Sequence, residues 1–222
     1  GSVKGLSAVA EPVIAELKKL NTPVHLVGHS FGGAVALKIA LSHPDLIKSL
    51  TLFEPAAFQI MQNSPSFDKH QLSGLRRVGQ ILNATLSVGH NHVGMKEFID
   101  FWNGSGAWNE LPSTLQSKFA LCAPVVANDI KRTFTESWTL SDLGNLAIPT
   151  LIMMGMDSPE LTQRTATLIA QHIPRAELAI LPGLGHMAPV QNPEWVNPRI
   201  QQHIARIELA AQQVSWPSNV AA

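Results

Sequence analysis

Six residues, Gly28-His29-Ser30-Phe31-Gly32-Gly33, constrain this chain more than any other feature. A short apolar run, Val24 to Val27, leads into them, and the helix-forming Ala34-Val35-Ala36-Leu37-Lys38-Ile39-Ala40 leads out. A strand that becomes a helix through G-x-S-x-G turns so sharply that its serine is held in a strained backbone conformation, with the hydroxyl lifted above the sheet edge. Ser30 is therefore the candidate nucleophile. Gly28 and Gly32 read as the residues small enough for strand and helix to close around it.

A serine nucleophile needs a base. Gly183-Leu184-Gly185-His186-Met187 offers one directly after the apolar segment Ala176 to Leu181, which reads as another buried strand, and before a helix over Pro193 to Leu209. Of nine histidines, His186 alone combines a strand exit, flanking glycines and a following helix. His25 falls inside the strand before the elbow, His43 before Pro44 at a helix end and His172 before Ile173-Pro174, positions that suit packing or surface roles. His90-Asn91-His92 has no third ligand at a recognisable spacing, so it reads as a solvated loop and no metal is expected.

These residues resemble the α/β-hydrolase superfamily, in which nucleophile, acid and histidine follow one another along the chain in that order. The resemblance runs over nearly the whole chain. It rests on the elbow at Ser30, the strand Ser49 to Phe53 ending in Glu54-Pro55, the strand Pro149 to Gly155, and Gly-x-Gly-His at 183 to 186. It implies an α/β fold with a mostly parallel sheet, no cofactor, and a carboxylic ester hydrolase or close relative. Serine at position 30, where an aspartate would stand, disfavours the dehalogenase and epoxide hydrolase branches. Phe31, next after the nucleophile, is implied as a backbone donor of the oxyanion hole. The second donor usually comes from a loop after an earlier strand, and Gly1 to Asn21 offer instead a helix with Val13, Ile14, Leu17 and Leu20 on one face and Pro12 in its first turn.

Two carboxylates compete for the third triad position. The family's usual Gly-x-x-Asp is shifted here: Gly155-Met156-Asp157-Ser158 puts the aspartate one residue early and a serine in its place. A minority of relatives carry the acid at the end of the strand after the elbow, where Glu54 lies, and a carboxylate at that strand edge points into the same crevice as Ser30. Glu54 is placed ahead of Asp157, with Asp142 and Asp129 behind both.

Between Glu54 and Pro149 lie about ninety residues without a period-2 pattern, too many for a loop. Ser113 to Ala123 and Ala127 to Trp138 show helical apolar spacing, punctuated upstream by Gly104-Ser105-Gly106 and Pro112. The expectation is a hydrolase core over 1–55 and 146–222 with a helical cap inserted at 56–145. Phe58, Met61, Trp102 and Trp108 would give the cap an apolar underside, and Phe58, Trp102, Trp108, His29 and Met187 are the candidate substrate contacts.

Charge and length exclude further classes. Lys plus Arg equals Asp plus Glu at 16 each, so nothing collects phosphates and nucleic acid is not an expected partner. No apolar run approaches the ~18 residues of a membrane span. One cysteine, Cys122, makes no internal disulfide, and a reducing cytoplasmic setting is the default. Gly1-Ser2 in place of an initiator Met reads as a cloning or processing scar. Only four strands are expected, with the elbow strand bare on its outer side, and a bare strand edge is a template for pairing. A homodimer or larger assembly covering the edge beside Val24 to Val27 follows as an expectation. The function expected is hydrolysis of small to medium neutral acyl esters. The alternatives are a hydrolase-fold protein that binds a ligand or partner without turnover, or a thioesterase or carbon–carbon bond hydrolase with the same triad.

Overall fold

The computed structural model describes residues 5–62 and 66–215, so Gly1-Ser2 lie outside the described residues. Helix α1 (Ser7–Lys19) leads to β1 (Val24–His29), α2 (Ser30–Ser42) and β2 (Ile47–Phe53). The inserted helices follow: α3 (Ser66–Ser87), α4 (Asn91–Asn103), the short α5 (Ala107–Glu110), α6 (Ser113–Thr133) and the short α7 (Leu140–Leu143). The chain closes with β3 (Thr150–Gly155), α8 (Glu160–His172), β4 (Ala176–Leu181), the short α9 (Ala188–Gln191) and α10 (Pro193–Ser215). Among the described residues the four strands form one parallel sheet in the order β1-β2-β3-β4. Strand order equal to chain order requires a crossover after each strand, and the helices supply it.

The period of two along each strand divides the core. Leu50, Leu52, Ile152 and Met154 point to one face and pack with Ala34, Leu37 and Ile169 from α2 and α8. Phe53, Leu151, Met153 and Leu181 join Ala188 and Val196 from α9 and α10 on the other. Leu50, Leu52 and Ile152 are fully shielded, each such side chain contributing about 1.5–3 kcal/mol. Glu208 of α10 is held by Lys48 Nζ and by His25 Nε2–H, while His25 Nδ1 accepts from Ser49 Oγ. His25 thus ties α10 to β1 and β2, as a packing histidine does.

Both sheet edges are open among the described residues. β1 pairs only with β2 and β4 only with β3, and apolar side chains show at each, Val27 at 47% and Ile180 at 48% exposure. The bareness expected of β1 is shared by β4. No helix among the described residues is long and apolar enough to cross a membrane.

The inserted helices share the main core through Leu72, Leu75 and Trp102 and carry a smaller core of their own, built from Val78, Leu82, Met95, Trp108, Ala123 and Ala127. The break expected after Ala123 is not there: α6 runs unbroken through Pro124, ending at Thr133. Proline removes one intrahelical N–H donor there, and burial of Ala120, Ala123 and Ala127 holds the helix together. Gly104 and Gly106, at φ 95° and 92°, make the turn between α4 and α5. On α1 the expected apolar face is divided: Ile14 and Leu17 are half-buried against the main core, whereas Val13 and Leu20 are exposed, and Ala10 is the fully buried residue. Pro12 sits inside the helix, beyond its first turn.

Candidate active site

Three strand ends and one loop build the site. Ser30 stands at the β1–α2 junction with φ 52° and Glu54 directly after β2 with φ 41°, both in the left-handed region that non-glycine residues avoid. Such conformations cost of order 1–3 kcal/mol each and persist where the surroundings dictate them. Here they do. The Ala56 N–H donates to Ser30 O at 2.9 Å, and the Glu54 N–H donates to Met153 O at 3.0 Å.

The elbow's steric requirement falls on Gly28 and Gly33. A Cβ on Gly28 would meet Gly32 O and Gly33 Cα at 2.7 Å, and one on Gly33 would meet Pro55 Cα at 2.9 Å. Gly32, expected to be needed for closure, has open space at its Cβ position among the described residues. The reason is geometric: it faces outward on the first turn of α2, while Gly33 faces the Glu54-Pro55 turn.

His186 joins Ser30 to Glu54. Its Nδ1 lies 2.6 Å from Glu54 Oε2 and its Nε2 3.0 Å from Ser30 Oγ. A carboxylate only accepts, so Nδ1 carries the proton, and the neutral ring leaves Nε2 free to accept from the serine hydroxyl. The second carboxylate oxygen, Glu54 Oε1, accepts the Gly155 N–H at 2.8 Å. Glu54 is fully buried and His186 is 4% exposed. With both oxygens bonded, this buried charge is matched as such charges must be.

The His186 loop reaches this position because residue 155 has no side chain. A Cβ there would lie 2.0 Å from Leu184 O. Asp157, the competing acid, is exposed, and its N–H donates to Leu184 O at 3.0 Å. The structure brings Glu54, not Asp157, to His186 Nδ1. Asp142 is engaged in the capping box of α7 with Thr139, and Asp129 in an ion pair with Arg132 at 2.7 Å. Ser158 is buried with its Oγ unpartnered.

His29 does more than line a wall. Its Nε2–H donates to His186 O at 2.8 Å, and its ring lies 4.9 Å from the His186 ring, tilted by 49°. Burial, reinforced by the neighbouring His186, lowers its pKa from 6.5 to about 4. It therefore stays neutral beside His186.

A cavity of about 1230 Å³ opens over Ser30 and His186. Its core side carries His29, Phe31, Phe58 and Met187, and its other side comes from α4 and α6, with Phe98, Trp102, Phe119 and Ile130 prominent. The charged residues at its walls are Glu110, Asp129 and Asp157, with no lysine or arginine among the described lining residues. Burial pushes the Asp129 carboxyl up against the lowering pull of Arg132. Of the expected substrate contacts, Trp108 does not line the cavity: it is buried in the small core of the inserted helices, edge-on to His92 at 6.0 Å. Met61 is likewise fully buried core.

Comparison with known proteins bears on the family and the fold. The model of the alpha/beta hydrolase family matches residues 2–199. A protein named as a carbamate hydrolase, RutD, from Agrobacterium fabrum is 25% identical over 202 residues, 90% of this chain and 74% of its own length. Lipase 1 of Psychrobacter immobilis is 24% identical over 186 residues, covering 80% of this chain and 54% of that protein. Among solved structures, a thermophilic esterase from Thermogutta terrifontis superposes with a TM-score of 0.69 at 19% identity, over 93% of this chain and 74% of the other. At that identity the likeness is one of fold.

Proposed function

The chain belongs to the alpha/beta hydrolase family, and from that premise we propose that it is a serine carboxylesterase acting on neutral acyl esters of small to medium size. One observation carries the reading: Ser30 Oγ, the His186 ring and the Glu54 carboxylate form an unbroken chain of two hydrogen bonds, 3.0 and 2.6 Å. Ser30 Oγ attacks the ester carbonyl as its proton passes to His186 Nε2, and Glu54 holds the imidazole's tautomer and stabilises the imidazolium. The Phe31 N–H, in the first turn of α2 where backbone donors are free, faces the developing oxyanion. Collapse of the tetrahedral intermediate expels the alcohol, which takes the proton back from His186. Water then repeats the sequence on the acyl-serine, releasing the acid.

The inserted helices over 56–145 act in this reading as a cap. Their aromatic wall suits an acyl chain, and the acidic or neutral lining disfavours substrates that carry a carboxylate or phosphate. Relatives named for lipase and carbamate chemistry support hydrolysis of an acyl carbonyl, and the extended apolar wall favours the ester among them.

The test is turnover of a short-chain and a medium-chain chromogenic ester by the parent and by Ser30→Ala, with a serine-reactive phosphonate as active-site label. The expected loss is ~10^3 to 10^6 in kcat, with labelling abolished. Equal turnover in both proteins would overturn the proposal.

A further inference from the structure

Both nitrogens of His186 are committed, Nδ1 to Glu54 and Nε2 to Ser30, so what remains to tune the ring are its faces. One of them is covered by an indole. Trp102, near the C-terminal end of α4, stacks on His186 with centroids 4.4 Å apart and planes 23° from parallel. The indole is itself clamped. Phe101 meets it edge-on at 4.8 Å, Phe98 at 6.1 Å, and Phe58 lies stacked at 6.3 Å. Trp102 is 9% exposed, so little water competes for the imidazole face.

We propose that Trp102 is a positioning residue that stabilises the imidazolium form of His186 across the boundary between core and inserted helices. The inference rests on the esterase reading for its kinetic consequence, though not for its electrostatic one. An aromatic face carries negative quadrupole density, and a cation held over it is attracted, most strongly by tryptophan. The neutral imidazole of the resting site gains little from this contact. The imidazolium formed as Ser30 attacks gains more, which is differential stabilisation of the kind that raises kcat rather than lowering KM. The neighbouring groups set the direction. Glu54 faces the ring edge with opposite charge, and His29, the other ring against His186, stays neutral down to about pH 4. The indole thus adds to the carboxylate with no second cation opposing it.

Because the indole sits on α4 and the imidazole on the loop after β4, the stacked geometry exists only while the inserted helices are seated on the core. The base is then fully tuned only under a closed cap.

Two variants test this, Trp102→Phe and Trp102→Leu, with the acid limb of the kcat/KM profile and kcat read on the medium-chain ester. Losing the ring altogether in Trp102→Leu is expected to lower kcat by about 3- to 30-fold, the range of such contacts. KM should change less, and the acid limb should move to lower pH, since an imidazolium without its aromatic partner releases its proton sooner. Trp102→Phe should recover part of both effects. An imidazole titration of His186 followed by NMR in parent and variants needs no turnover. A fall in its midpoint with the parent inactive on esters would sustain the contact while the esterase reading fails. A midpoint that holds or rises in Trp102→Leu, with unchanged kcat in a folded protein, would reduce the indole to packing and overturn the proposal.

Discussion

The two sides of the cavity over Ser30 are built on different physics. On the sheet side, position is fixed by directed bonds and backbone strain: Ser30 and Glu54 in left-handed conformations, and two hydrogen bonds through His186, with Gly155 leaving room for the loop. On the helical side, Phe98, Trp102, Phe119 and Ile130 offer apolar surface with no directed bond to the triad. Directed bonds lose function abruptly when an atom moves, whereas apolar contacts degrade in proportion to the area lost. Apart from Trp102, whose indole stacks on the His186 ring, the sheet side should therefore govern whether reaction occurs, and the helical side what is accepted.

The sharpest way to break this contrast is to alter the acid. Glu54→Gln keeps the shape and removes the charge, leaving His186 Nδ1 without its carboxylate. We expect kcat to fall by up to ~10^4, and Asp157→Asn, on an exposed side chain, to cost far less. Should the ranking be reversed on chromogenic esters, Asp157 is the working acid and the buried Glu54 contact is structural.

Next in size is a change that touches no functional side chain. A methyl added by Gly155→Ala would have to displace Leu184, whose carbonyl oxygen lies 2.0 Å from the new atom, and with it the loop carrying His186. A shift of about 1 Å at the base costs on the order of 10^2 in kcat. Retained activity in that variant would show that the loop adapts and the strand-end geometry is softer than described.

What could be read from the sequence divides along the same line. The elbow, the strands of the sheet and the His186 loop are each specified by neighbours in the chain, so the pattern of a few residues suffices. Glu54 was legible as a strand-end carboxylate, yet its preference over Asp157 depends on how Gly155 admits Leu184, a contact between two strand exits. Gly33 was missed in favour of Gly32 because its partner, Pro55, arrives from β2. Trp102 and Trp108 look alike in sequence, and only tertiary packing sends Trp102, on α4, to His186 and Trp108, on α5, to the core it shares with α3, α4 and α6. The signal that could have separated them, the phase of each residue on its helix relative to the core, is lost where several amphipathic helices pack on one another.

A smaller effect sharpens the helical half. Phe119→Ala on α6 would lengthen the cavity without touching the triad, and the ratio of kcat/KM for longer over shorter acyl esters should rise about tenfold, the worth of a methylene or two in an apolar pocket. Equal losses on every chain length would instead indicate that α6 supports the site as a whole.

The smallest effect expected is on stability rather than rate, and it concerns a sheet-side ring held neutral by burial. His29 has its pKa lowered to about 4, against ~6.5 in an unfolded chain. Between those values the unfolded chain binds a proton that the folded one excludes, so folding stability is intact above about pH 6.5 and falls as pH drops toward 4. His203, lowered by burial and by Arg206, acts in the same direction. His29→Gln can still donate to His186 O but has nothing to titrate. Urea unfolding at pH 7 and pH 5 should show a smaller loss between the two in His29→Gln than in the parent, with the His203 share remaining. An unchanged loss would mean that His29 takes up its proton in the folded state as readily as in the unfolded chain, and that the sheet side is wetter around His186 than its burial implies.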